Sequence, residues 1–100
     1  MHSPKETVAD RIKRLRTAQG MKPAAFARHL DNILLSRLLN VENYGKPLGI
    51  ELAQIIVRKC PGITLDWLYF GKIVGLTVQM FLLLYDTDLA ARLTNQPKRD

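Results

Sequence analysis

The stretch FARHLDNILLSR, Phe26 to Arg37, sets an apolar segment on either side of an Asp-Asn pair. Phe26 and Leu30 stand four residues apart and share one face of a helix. Ala27 is small enough to let a second helix cross close by. Asp31 and Asn32 are residue types that, after glycine, best tolerate a left-handed backbone, and either can cap a following helix. The pattern predicts a short helix, a tight turn and a second helix over Asp31–Asn43, carrying Ile33, Leu34, Leu35, Leu38, Leu39 and Val41.

Upstream, SPKETVADRIKRLRTAQG predicts a helix with Ser3 as cap, Pro4 in the first turn and Glu6 completing a capping box. Val8, Ile12 and Leu15 lie on one face, with Arg11, Lys13, Arg14 and Arg16 around them, and Gly20 as the stop. Those cations fit either a solvated face or phosphate contacts. Pro23 suits the first position of the second helix. Downstream, YGKPLG is a loop. IELAQIIVRKC is a fourth helix ending on Arg58 and Lys59, which suit the helix dipole. Thr64 caps a short LDWLYF helix closed by Gly71. Thr77 caps a last helix reaching about Leu93, and residues 95–100 form a tail. The reading is all-α, with no persuasive strand pattern.

The charge is +6 overall, and residues 1–46 carry nine Lys/Arg against four Asp/Glu. That places any polyanion-binding surface in the first half. The single cysteine, Cys60, excludes an internal disulfide and favours a reducing, cytoplasmic compartment. No apolar leader follows Met1, and the run from Ile73 to Tyr85 is too short for a bilayer, which needs ~20 residues. No membrane association and no small-molecule substrate are expected. His2 and His29 are far apart, with no Cys, Asp or Glu at metal-ligand spacing, so neither metal nor cofactor is expected. Ser3 and Ser36 lack a neighbouring base, and Cys60 reads as a small buried residue, so no enzyme is expected. Glu42 is expected to bond backbone or a basic side chain such as Arg11 or Arg14.

From about Val8 to Lys72 the chain resembles the lambda-repressor-like, or XRE-type, helix-turn-helix family. RIKRLRTAQGMKPAAFARHL is similar to that family's opening two helices. NVENYGKPLGIELAQIIVRKCPGITLDWLYFGK is similar to the segment after its third helix, including the closing LDWLYFG. The turn departs from the family's Gly-apolar-Ser, since Asp31–Ile33 reads DNI, and left-handed geometry falls to Asp31 or Asn32. Pro23 stands where the family often has a phosphate-binding Gln, a role that Lys22 can take.

The resemblance implies a five-helix DNA-binding domain over residues 1–72, with its third helix in the major groove. Asn32, Ser36, Arg37 and Asn40 are then the candidates for base edges, since Arg pairs with guanine and Asn with adenine. Lys22, Arg28, Asn43 and Lys46 are the candidates for phosphates. Residues 73–94 form an added C-terminal helix, apolar on nearly all sides. Val78, Phe81, Leu82 and Tyr85 are its candidates for a homodimer interface, the alternative being a helix wrapped on the domain. The expected partner is double-stranded DNA, and the expected role is a small stand-alone repressor or a prophage- or antitoxin-type regulator. The rival expectation is a protein-interaction module that uses the apolar third and last helices.

Overall fold

The computed structural model describes residues 6–85. Among them the chain is all-helical, with six helices: α1 (Val8–Ala18), α2 (Pro23–His29), α3 (Leu35–Asn43), α4 (Ile50–Lys59), α5 (Leu65–Phe70) and α6 (Val78–Tyr85). The helices enclose one core. Its largest fully buried side chains include Trp67, Phe26, Ile12, Leu15, Leu30, Leu38, Leu52 and Ile56. Every helix from α1 to α5 contributes to that group, so no helix can be removed without opening it.

α1 starts later than the sequence suggested. Its cap is Thr7, whose hydroxyl accepts from the Asp10 N–H at 3.1 Å while the Asp10 carboxylate accepts from the Thr7 N–H at 3.1 Å. This reciprocal pair satisfies two of the orphan donors at the helix start. The expected Ser3–Glu6 box is therefore not the cap: Glu6 is engaged with arginine, and Ser3 and Pro4 lie outside the described residues. Thr64 caps α5 through the Trp67 N–H at 3.0 Å, and Thr77 caps α6 through the Met80 N–H at 3.1 Å, both as expected.

The turn before α3 also differs. The predicted helix from Asp31 begins four residues later, at Leu35. Asp31 and Asn32 both take left-handed backbone, with φ of 61° and 59°. Two such residues in succession break the helical hydrogen-bond run. The Asn32 N–H still bonds the Arg28 carbonyl four residues back at 3.1 Å, but the Ile33 N–H reaches past it to the Ala27 carbonyl at 3.0 Å, which satisfies the end of α2. α3 therefore crosses α2 after a full four-residue turn, and Ala27, 3% exposed, lies at the crossing as anticipated.

α6 is part of this core. Met80 and Leu84 are buried, and α6 packs on α1. The Trp67 indole N–H donates to the Tyr85 hydroxyl at 2.7 Å, joining α5 to α6. The Gly62 carbonyl accepts from the Thr77 N–H at 3.3 Å. The expected extension of this helix to Leu93, and the tail at 95–100, lie outside the described residues.

Gly62 has φ of +100°, and a Cβ there would stand 2.6 Å from Thr77 Oγ1 and 2.9 Å from Met80 Cβ. Gly62→Ala combines left-handed strain with overpacking under α6, and should cost about 2–4 kcal/mol in urea unfolding. A loss below about 0.5 kcal/mol would show that α6 yields freely at this contact. Cys60 gives a second test. It is fully buried, and burial pushes its thiol from an ordinary 9.0 up to about 11. The folded value lies above the unfolded one, so this contribution is fully present below pH 9 and is lost as pH rises through 11. The stability of the native chain relative to Cys60→Ala should therefore fall between pH 9 and 11. A difference that stays flat across that window would contradict the burial effect.

Candidate nucleic-acid interface

The cations divide into two groups by what they touch. Three arginines of α1 are spent inside the protein. Arg11 is 6% exposed and donates to the carbonyls of Leu68 at 3.0 Å, Tyr69 at 3.1 Å and Glu6 at 3.1 Å. Arg14 grips the Glu6 carboxylate at 2.7 and 2.9 Å and donates to the Leu84 carbonyl at 3.2 Å. Its guanidinium also lies 4.9 Å from the centre of the Tyr85 ring. Arg16 forks onto Glu42 with bonds of 3.0–3.2 Å and donates to the Met21 carbonyl at 3.0 Å.

Glu42 thus bonds a basic side chain, as expected, but the partner is Arg16 in place of Arg11 or Arg14. Its residue exposure is 3%, so its charge needs a partner, and the fork supplies one with matched geometry. The spacing held the clue. Arg11 stands four before Leu15 and Arg16 four after Ile12, so both flank the buried stripe of α1. The aliphatic parts of such side chains cover the stripe while their heads reach across to neighbouring elements. Of the two readings of the basic helix, neither an open solvated face nor a phosphate-contact face describes these three arginines.

The second group lies on α2, α3 and the loop after α3. Lys22, Arg28, Arg37 and Lys46 are exposed, and none has an acidic partner among the described residues. Lys13 on α1 and Lys72 after α5 are likewise without one; Lys72 sits 6.0 Å from the Phe70 ring.

Ser36, Arg37, Asn40 and Lys46 line one surface groove, together with Leu34. The α3 spacing explains the first three: Ser36 and Asn40 are four apart and Arg37 and Asn40 three apart, so they share a face. Lys46 joins them because the chain folds back after α3. Gly45 takes φ of +75°, and the Asn40 carbonyl accepts from both the Tyr44 N–H at 3.2 Å and the Lys46 N–H at 3.1 Å. A residue without glycine's freedom at position 45 would strain this reversal. The groove therefore presents a hydroxyl, a guanidinium, a carboxamide and an ammonium within one surface. That set can donate to phosphate oxygens and read base edges.

The other candidates are placed elsewhere. Asn32 stands in the turn and not on α3. Lys22 is the residue preceding α2, Arg28 belongs to the last turn of α2, and Asn43 ends α3; all three are exposed and lie outside the groove lining. Leu34, which also lines the groove, was expected to belong to an apolar protein-binding cluster with Leu35, Leu38 and Leu39, but Leu38 is fully buried in the core. Among the dimer candidates, Val78 is 76% exposed, while Phe81 and Leu82 are half-buried. Tyr85 is built into the domain through Trp67 and Arg14, with the Phe81 ring 5.4 Å away.

Among the described residues no three His, Cys, Asp or Glu side chains are grouped to hold a metal ion. No described helix is long and apolar enough to cross a membrane.

Glu42→Ala strands the Arg16 guanidinium in a site where its side chain is 13% exposed, and should cost about 3 kcal/mol in chemical denaturation. A cost under about 1 kcal/mol would mean that water or another acceptor replaces the carboxylate at once. No protein family, curated protein or solved structure matches this chain.

Proposed function

We propose that the chain is a sequence-specific duplex-DNA-binding regulator of transcription that lays α3 in the major groove. In this reading α2, the Asp31–Asn32 turn and α3 are a helix-turn-helix, within a five-helix domain similar to the lambda-repressor-like, XRE-type family. α6 is the added C-terminal helix. The observation that carries the reading is the division of cations. The guanidinium donors of Arg11, Arg14 and Arg16 on α1 are engaged by the protein's own acceptors, while Lys22, Arg28, Arg37 and Lys46 keep theirs available beside the groove-forming helix or on the helix before it. Ser36, Arg37 and Asn40 address base edges. Lys46 and the cations of α2, with Asn43, hold phosphates and set the register. Asn32, in the turn, serves as a base-edge or backbone contact at the entrance to α3.

The regulator acts as a homodimer in this proposal. Val78 on α6, with half-buried Phe81 and Leu82, supplies apolar surface for a second copy, and Phe70 and Val74 nearby in sequence are 71% and 84% exposed. Tyr85 supports this face from within. Two copies would match half-sites one helical turn, ~34 Å, apart. The role is that of a small stand-alone repressor, or of a prophage- or antitoxin-type regulator, in the cytoplasm.

A second reading is favoured by different residues. Leu34, Tyr44 and Ile50 are 74%, 74% and 52% exposed. Exposed apolar residues of this size around α3 would suit a protein partner if they form one patch.

Fluorescence anisotropy with random duplex DNA across a salt series, with light scattering for mass, separates the two. A particle of twice 11.4 kDa should bind. The three cationic phosphate contacts per chain, Lys22, Arg28 and Lys46, predict a log–log salt slope of about −2.7 per chain, and Lys46→Ala should reduce it by about 0.9. Arg37→Ala should weaken binding, by about 1–3 kcal/mol where the guanidinium reads guanine. Absence of binding at low salt would sink the DNA reading. Loss of a protein partner in Leu34 variants but not in Arg37 or Lys46 variants would favour the rival.

A further inference from the structure

At the start of α3 the residue choice opposes the fold. The N-cap position favours Ser, Thr, Asp or Asn, whose side chains bond the first free N–H groups of the helix. Thr7, Thr64 and Thr77 do this for α1, α5 and α6, whereas α2 and α4 start on Lys22 and Gly49 without a side-chain cap. Leu34 occupies the same position in α3 and makes no such bond. Its side chain is also 74% exposed, so it contributes little to the core. An apolar residue that neither caps nor packs breaks two local rules at once. Conflicts of that kind concentrate where a residue is kept for binding.

The surroundings specify what it binds. Leu34 lines the groove with Ser36, Arg37, Asn40 and Lys46, which supply donors and positive charge. Its backbone is ordered, because its carbonyl accepts from the Arg37 N–H at 3.0 Å and the Leu38 N–H at 3.3 Å. The side chain is therefore displayed from a fixed base at the N-terminal end of α3, the end a groove-reading helix turns toward base edges. In the major groove the base-edge feature that suits an apolar side chain is the C5 methyl of thymine.

We infer that Leu34 is a specificity residue that contacts a thymine C5 methyl next to the bases read by Arg37 and Asn40. This rests on the DNA-binding reading above. A polar cap at this position would stabilise the helix but would not seat on the methyl.

The test uses the full chain. Short random duplexes are enriched on the native protein, and the selected duplex is remade with deoxyuridine in place of thymidine, which removes only the C5 methyls. Native protein should lose about fourfold in affinity per methyl contacted. Leu34→Ser, which restores a capping side chain and should fold, should bind the thymidine and deoxyuridine duplexes within about twofold of each other. Equal binding of the two duplexes by native protein would overturn the inference. So would a Leu34→Ser variant that still discriminates. If no duplex is enriched and no salt-dependent binding appears, the DNA-binding reading itself fails, and the assignment of Leu34 fails with it.

Discussion

A guanidinium cannot be deprotonated at any ordinary pH, so an arginine drawn toward a protein's interior must find acceptors for its donors. α1 carries three such groups, and each ties α1 to a different helix. Arg11 reaches the α5 carbonyls of Leu68 and Tyr69, Arg14 reaches Glu6 and the α6 carbonyl of Leu84, and Arg16 reaches Glu42 on α3 and Met21 in the loop before α2. The first helix thereby fixes the third, fifth and sixth by directional bonds, on top of the non-directional packing of Ile12 and Leu15. Hydrophobic burial would tolerate rotation or sliding of these helices. Forked bonds to a carboxylate and to named carbonyls do not.

The same constraint settles which charges can meet a partner. Each bond made inside by Arg11, Arg14 or Arg16 removes a donor that a phosphate could have used. The first half of the chain therefore offers an outside partner fewer cationic donors than its count of Lys and Arg implies, although its net charge is unchanged. What remains on α2, α3 and the following loop is the more informative part. Asp31 shows the complementary arrangement. It pairs with Arg58 and Lys59 at the end of α4, and Lys59 foremost, with Arg58, holds its carboxyl below the usual range. Its folded pKa is lowered, so this contribution is present above pH 3.8 and is lost as pH falls further. His29 reinforces the link through its Nε2, 2.8 Å from the Lys59 carbonyl. The left-handed turn, with Asp31 and Asn32 at positive φ, is thus tied to α4.

Much of the fold was legible because its signals are local. Gly20 and Gly71 both take left-handed backbone, and Thr64 and Thr77 cap where they were expected to. The periodic stripe of Ile12 and Leu15 is fully buried. The start of α1 was misread because two successive boxes, Ser3–Glu6 and Thr7–Asp10, fit the same pattern, and the Glu6 carboxylate is taken by Arg14. The start of α3 was misread because Asp and Asn serve both as caps and as left-handed turn residues. Tertiary bonds to Arg58 and Lys59 decide between those roles at Asp31, and no local pattern contains them. At the candidate site, Ser36, Arg37 and Asn40 could be grouped from helical spacing alone. Lys46 needed the reversal at Gly45, and Leu34 needed the true start of α3, before either could be placed beside them.

These ties matter most for α3, which has little helical stability of its own. It is nine residues long, has no side-chain cap, and carries no acidic residue in its first turn and no basic residue in its last. A free helix of that length is not stable in water. Its order comes from elsewhere: Leu38 and Val41 buried on its inner side, Glu42 held by Arg16 near its end, and the turn held by Asp31 before its start. The inner side and both ends are used to keep it in place. The outward residues Leu34, Ser36 and Arg37 are then left free of structural duty, and their chemistry can be chosen for whatever lies in the groove.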